Sequence, residues 1–351
     1  MAKVLVVDFN RLGFHPKLTA VTLEAFRKRH FHVSYCDAQN VCGGWTYATL
    51  AVNHVHFVRI PDYETAEKVL HFLPEGISFS FTMLGFAERT IGGPMLKLAK
   101  KALSVYIFSI NPHDLKEHIE ANKRWKNVAV RVFDEPPYPG ETKEFYREIS
   151  QTEAREKLKI PHEWKIGLYF GTYWYSKGAD LLLEETQKLT NPNLKIFFVG
   201  DTKLSSLDVP VKKIPRNKKC CVFVDRYVSE EEARDYFRAA DFIVLPYRKL
   251  YEWDTSGIFT KAMLAERPVL VPYFQPFSGL LKKYDVGEWI PPHLYSSLAI
   301  QFSSFLDWTI NHIFNHIPWE FDKYLDAQKG WGVLGYHESN YYQPDRHAKG
   351  E

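Results

Sequence analysis

Two hydrophobic periods alternate along this chain. Short, mostly apolar runs that read as buried strands are followed by stretches whose apolar positions recur every three or four residues, the spacing of a helix with one buried face. The first half predicts strands over 3–9, 32–36, 54–60, 77–81 and 105–110, and helices over 18–29, 64–72, 94–103 and 115–122. Pro94, entered through Gly92-Gly93, stands in the first turn, where its missing N–H does no harm. After residue 164 the alternation resumes, with strands over 165–170, 195–199, 221–225, 242–245 and 268–271 and helices from 179, over 230–239 and from 258. Strand and helix in this order imply parallel sheets covered on both faces, with ligands at the C-terminal strand ends.

Residues 134–145 break the pattern with three prolines and several charges and read as a linker. The chain therefore divides into an N-terminal α/β domain over 1–145 and a second over 146–310, with the default binding site in a cleft between them. A helical tail over 311–351 would pack back on the first domain. The aromatics from Trp289 onward have helical spacing, which core packing explains.

The most informative segment is 251–264, Tyr-Glu-Trp-Asp-Thr-Ser-Gly-Ile-Phe-Thr-Lys-Ala-Met-Leu. It follows the apolar run 242–246 and leads into a helix, with Thr255, Ser256 and Gly257 at the mouth. A helix start presents unpaired N–H groups and partial positive charge, which suits a phosphate. Taken alone it is equally an ordinary capped helix, since Ser and Thr are common N-caps.

Composition narrows the classes. The 351 residues are 45% hydrophobic and 25% charged, as in a globular protein. There is no run long enough to span a membrane and no signal peptide is expected at the N-terminus, so a cytoplasmic location is predicted. Net charge is +3, which argues against a dedicated nucleic-acid binder. Residues 1–131 nevertheless hold seventeen Lys/Arg against eleven Asp/Glu. Part of that excess, at Arg27, Lys28, Arg29, Lys97, Lys100 and Lys101, lies beside apolar helix faces. Solvated helix ends explain it, as does peripheral contact with anionic lipid on the inner face of a membrane. Cys36, Cys42, Cys220 and Cys221 lack metal-site spacing and read as reduced structural thiols. His54 and His56 share one strand face without carboxylate or cysteine company, so surface or core roles fit them better than ligation.

Several motifs in the second half occur in one order. They are Leu168-Tyr-Phe-Gly171, Lys177-Gly-Ala-Asp-Leu-Leu-Leu183, Phe197-Phe-Val-Gly200, Val228-Ser-Glu-Glu-Glu232, Tyr236-Phe-Arg-Ala-Ala-Asp241 and Arg267-Pro-Val-Leu-Val271. In this order and spacing, the run from 151 to 292 resembles the retaining glycosyltransferases of family 4, within the glycosyl transferases group 1. Their GT-B architecture is two Rossmann-like domains facing a cleft. The first half resembles them less, at Gly13 and at Asn111-Pro-His113-Asp114.

The resemblance implies a retaining, metal-independent hexosyltransferase-like enzyme of polysaccharide biosynthesis. It would use no cofactor beyond a nucleotide-sugar donor such as a UDP- or GDP-sugar, and would act on a glycan, lipid-linked or small-molecule acceptor. Lys177 matches the family's phosphate-facing lysine, and His113 would orient sugar or acceptor. Gly13, Gly171, Thr172, Arg248, Glu252, Asp254, Thr255, Ser256, Gly257 and Ile258 would line the donor. Two positions depart from the pattern: Thr172 stands where the family often has arginine, and Lys261 where it commonly has a glutamate that contacts ribose. These departures keep open a non-catalytic GT-B protein that binds nucleotide or glycan or supports a partner enzyme.

Overall fold

The computed structural model describes residues 3–8, 32–37, 52–58, 77–86, 91–134, 141–187, 191–204, 219–290 and 319–328, with Leu23, Arg27, Glu67 and Leu189 individually. The predicted helices over 18–29 and 64–72, the position of Gly13 and most of the aromatic tail lie outside the described residues.

The first six strands are β1 (Lys3–Asp8), β2 (His32–Asp37), β3 (His54–Phe57), β4 (Ser78–Leu84), β5 (Ser104–Ser109) and β6 (Val130–Asp134). They form one parallel sheet in the order β2-β1-β3-β4-β5-β6. β1 shows why the run is apolar throughout: Val4 and Val6 join the cluster on one face, Leu5 and Val7 the cluster on the other. Burial on both faces removes the polar alternation of a half-exposed strand. Helices α1 (Gly93–Lys101) and α2 (Pro112–Ala121) belong to this sheet's connections.

The second sheet comprises β7 (Lys165–Phe170), β8 (Leu194–Val199), β9 (Cys221–Val224), β10 (Phe242–Val244), β11 (Val269–Pro272) and β12 (Gly287–Ile290). It too is parallel, in the order β12-β11-β10-β7-β8-β9. Among the described residues its helices are α3 (Lys143–Arg147), α4 (Gln151–Lys157), α5 (Ala179–Thr186), α6 (Glu230–Ala239), α7 (Gly257–Leu264), α8 (Phe277–Lys283) and α9 (Phe321–Gln328).

The chain separates into two compact units. The first contains 1–139, 253–255 and the chain from Ala327, and the second contains 140–252 and 256–326. Several elements go beyond the sequence expectations. β6 and β12 are strands by virtue of neighbours distant in sequence (Val105↔Val130, Val269↔Gly287). α3 begins within the stretch read as a linker and runs past its end, started by Thr142, whose Oγ1 accepts the Phe145 N–H at 3.1 Å.

In the first sheet His54 and His56 are buried, not ligating. A hydroxyl–imidazole row runs along β3 and β4: Ser78 Oγ to His54 Nδ1 at 2.9 Å, His54 Nε2 to Ser80 Oγ at 2.8 Å, Ser80 Oγ to His56 Nδ1 at 2.8 Å, and His56 Nε2 to Thr82 Oγ1 at 3.2 Å. A neutral ring donates once and accepts once, so the row can run in a single sense with both rings neutral. Burial lowers the His54 pKa to about 3, and burial followed by the charge of His54 lowers that of His56. Both rings are therefore neutral in the folded state but protonate in the unfolded chain near 6.5. Stability is full above that value and falls as pH drops, because the unfolded chain then binds more protons. By pH 5 His54 alone should cost about 2 kcal/mol. Urea unfolding at pH 7.5 and 5.0 measures this. The fall should flatten in His54→Gln/His56→Gln, and an equal fall in that variant would reject the assignment.

Candidate functional site

In the second sheet the chain enters at β7, moves outward through β8 and β9, then returns to β10 on the other side of β7. The connections that follow β7 and β10 therefore lead to opposite sides, to β8 and to β11, from neighbouring strand ends. Such a switch point opens a crevice at the C-terminal edge of a parallel sheet. Both loops carry residues singled out from the sequence.

The β7 loop begins at Gly171, with φ +111°, and passes Lys177 to Gly178, with φ +66°. A side chain in either place would sit in a backbone region that favours glycine. A Cβ on Gly171 would lie 3.5 Å from Lys177 Nζ and 3.9 Å from Ile258 Cδ1. The ammonium of Lys177 thus reaches over bare backbone, beside the first turn of α7. A Cβ on Gly178 would come within 1.9 Å of the Pro246 carbonyl oxygen, so the two loops meet at van der Waals distance only because Gly178 has no side chain.

α7 opens with Ser256, whose Oγ accepts the Phe259 N–H at 3.3 Å and lies 3.2 Å from the Tyr247 hydroxyl. The first intrahelical bond is from the Thr260 N–H to the Ser256 carbonyl, at 3.2 Å. The N–H groups of Gly257 and Ile258 therefore have no acceptor within the helix. Lys177 Nζ and the Ile258 side chain both approach Gly171, so this edge of the sheet offers a cradle with one positive charge, two N–H donors and a helix dipole end. That set matches a phosphate or diphosphate.

Arg248 is offered by the sequence as further charge for a donor. In the structure its guanidinium is held by Asp180, with Nη1 to Oδ1 at 2.9 Å and Nη2 to Oδ2 at 2.6 Å, and Nη1 also donates to the Tyr175 carbonyl at 2.6 Å. Its backbone N–H donates to the Ser176 carbonyl at 2.9 Å. Arg248 therefore braces the β7 loop from behind, a two-pronged contact that fixes geometry as well as charge.

Thr172 lies beside Gly171, and its carbonyl accepts the Tyr169 hydroxyl at 2.8 Å. Glu252 is half-buried, 3.8 Å from Lys249 Nζ. Asp254 and Thr255 are buried within the first unit, where Asp254 Oδ1 accepts the Thr255 N–H at 3.0 Å. His113, also in the first unit, follows the C-terminal end of β5 in the first turn of α2, and its side chain is 56% exposed. Of the predicted site residues, the cradle unites Gly171, Lys177, Ser256, Gly257 and Ile258. Lys261 faces neither phosphate nor solvent: its ammonium bonds Glu141 and lies 3.3 Å from Glu230.

The sequence motifs contain Gly178, Asp180 and Gly200, but sequence reasoning gives none of them a site role. Gly178 had a signal, a glycine between a loop lysine and a helix start. Gly200 stood in the Phe197-Phe-Val-Gly200 motif, and its role is close approach: a Cβ there would lie 2.0 Å from the Gly171 carbonyl oxygen. Among the described residues no group of three His, Cys, Asp or Glu is placed to hold a metal. No described helix is long and apolar enough to cross a membrane.

Residues 165–305 match the family model of the glycosyl transferases group 1. The granule-bound starch synthase 1 of Pisum sativum is 24% identical over 206 residues, covering 50% of this chain and 34% of the synthase. The chain thus spans about a third of that relative's length. Sucrose-phosphate synthase from Thermosynechococcus elongatus superposes with a TM-score of 0.63 at 13% identity, over 96% of both chains. HepE from Anabaena, solved with UDP, gives 0.63 at 12% identity over 95% of this chain and 97% of its own. The same Anabaena protein was also solved with UDP-glucose. At these identities the superpositions show a shared fold.

Proposed function

We propose that this chain, which carries a glycosyl transferases group 1 domain on the GT-B fold, moves a sugar from a nucleotide-diphosphate sugar to a hydroxyl of a glycan, lipid-linked or small-molecule acceptor, retaining the anomeric configuration. The observation that carries this is the meeting of Lys177 Nζ, the bare backbone of Gly171 and the first turn of α7. As the bond between the anomeric carbon and the diphosphate oxygen breaks, negative charge gathers on the departing phosphate. Fixed donors at that point lower the barrier more than they tighten the ground state. Lys177 and the N–H groups of Gly257 and Ile258 supply the charge compensation, so the rate should be unaffected by a chelator. Retention rests on the family resemblance, and NMR of the first-formed product tests it: an inverted product rejects that part. His113 serves as an orienting group for sugar or acceptor. The basic end of α1, Lys100 and Lys101, suits peripheral contact with an anionic membrane face.

The first experiment is thermal unfolding with a panel of nucleotide diphosphates and sugar nucleotides, beginning with UDP and UDP-glucose because the Anabaena neighbour was solved with the latter. Ligand at a hundred times its dissociation constant adds about 2.7 kcal/mol of stability, a rise of several degrees. A rise with one base and not the others identifies the nucleotide. The absence of any rise at millimolar ligand would reject the donor site.

One observation favours the non-catalytic alternative. Lys261 is committed to Glu141 and Glu230, so that position offers no carboxylate to a ribose. Nucleotide binding without hydrolysis or transfer would support it.

A further inference from the structure

Few large apolar side chains of the described residues are well exposed: Tyr35, Trp174, Tyr175, Tyr227, Leu250 and Tyr273. Three of them sit on two adjoining 3-10 turns, Tyr175–Lys177 and Lys249–Tyr251, with Trp174 at the start of the first. Trp174 is 37% exposed, Tyr175 48% and Leu250 49%. Both turns lie at the C-terminal edge of the second sheet, in the loops that build the phosphate cradle. The Trp174 ring centroid is 5.8 Å from Lys177 Nζ.

The lip is held in place. The Arg248 guanidinium lies 4.0 Å from the centroid of Tyr175, covering one face of the ring. The same guanidinium is fixed by Asp180 and donates to the Tyr175 carbonyl. Tyr175 is thus backed by a fixed, charged plane, and what it exposes faces away from that plane. Exposed aromatics with few rotatable bonds give contact area at little entropic cost. The outer face of an aromatic ring is electron-rich, which suits the slightly positive C–H groups on the flat side of a pyranose. Apart from the cradle lysine Lys177, the cations of the lip have carboxylate partners: Arg248 lies on Asp180, and Lys249 is 3.8 Å from Glu252.

We propose that Trp174, Tyr175 and Leu250 form a stacking platform for a sugar ring of the acceptor, so that the acceptor is itself a carbohydrate. The proposal deepens the transferase reading above and rests on it for the word acceptor. The binding of saccharide to the lip is tested without that reading.

The test titrates the wild-type chain with maltohexaose, cellohexaose, xylohexaose, mannohexaose and chitohexaose, following intrinsic tryptophan fluorescence. At least one should bind. Trp174→Ala should weaken that binding at least tenfold and Trp174→Phe by much less, while the thermal rise caused by the preferred nucleotide persists in both. With donor present, the loss in Trp174→Ala should fall on acceptor KM and leave kcat within about threefold. Binding of none of the five, or equal weakening of saccharide and nucleotide, overturns the platform. So does Trp174-dependent binding to phosphatidylcholine–phosphatidylglycerol vesicles in place of saccharide. Saccharide binding with no nucleotide-induced rise would keep the platform and reject the donor site, so the two failures are distinguishable.

Discussion

Replacing Lys177 by alanine should lower kcat by about 10²–10³-fold with saturating donor, the usual loss when one fixed donor to a developing anion is removed. The midpoint of thermal unfolding without ligand should barely move. The turn itself is held by backbone bonds, from the Lys177 N–H to the Trp174 carbonyl at 2.8 Å and from the Gly178 N–H to the Tyr175 carbonyl at 3.2 Å. The nucleotide-induced rise in midpoint should shrink as well, because the lysine also meets the ground-state diphosphate. The fall in kcat should exceed the loss of binding, since charge on the leaving oxygen grows toward the transition state. Lys177→Arg should recover only part of the rate, because the wider guanidinium must fit over Gly171, where Ile258 already closes the opposite side. A Lys177→Ala enzyme within threefold of wild type would remove the lysine from the chemistry and leave the α7 N-terminus as sole candidate.

How much of this was legible beforehand differs from residue to residue. Strands such as β1 and β10 are readable because burial on both sides leaves an unbroken apolar run, Val4 to Val7 in one and Phe242 to Val244 in the other. Gly257 and the helix after it are readable because capping chemistry is local. β12 is not, since Gly-Glu-Trp-Ile becomes a strand only by pairing with β11. The role of Arg248 is illegible for the same reason: its partner Asp180 is 68 residues away in sequence, and a loop arginine looks alike whether it binds phosphate or a carboxylate of its own fold. Lys261 shows the limit of pattern matching. Where the family pattern has an acid, this chain has a base, and the base is balanced by Glu141, whose partnership 120 residues apart has no local signature.

Gly178→Ala should be among the most damaging single methyl groups in the second unit. Two costs coincide there. The backbone sits at φ +66°, where a non-glycine residue costs about 1–3 kcal/mol. The added carbon would also lie 1.9 Å from the Pro246 carbonyl oxygen, a backbone atom that cannot rotate away, so one of the two loops must shift. Overpacking of this kind typically adds another 1–3 kcal/mol, giving about 2–6 kcal/mol in urea unfolding. Gly93→Ala separates the terms: its φ is +51°, yet nothing lies within 4 Å of the added carbon, so it should lose only the conformational part. Equal losses in the two variants would mean that the contact between the β7 and β10 loops is looser than it looks. A larger loss at Gly178, accompanied by disappearance of the nucleotide-induced thermal rise, would show that the close approach of these loops is what sets Lys177 over the cradle.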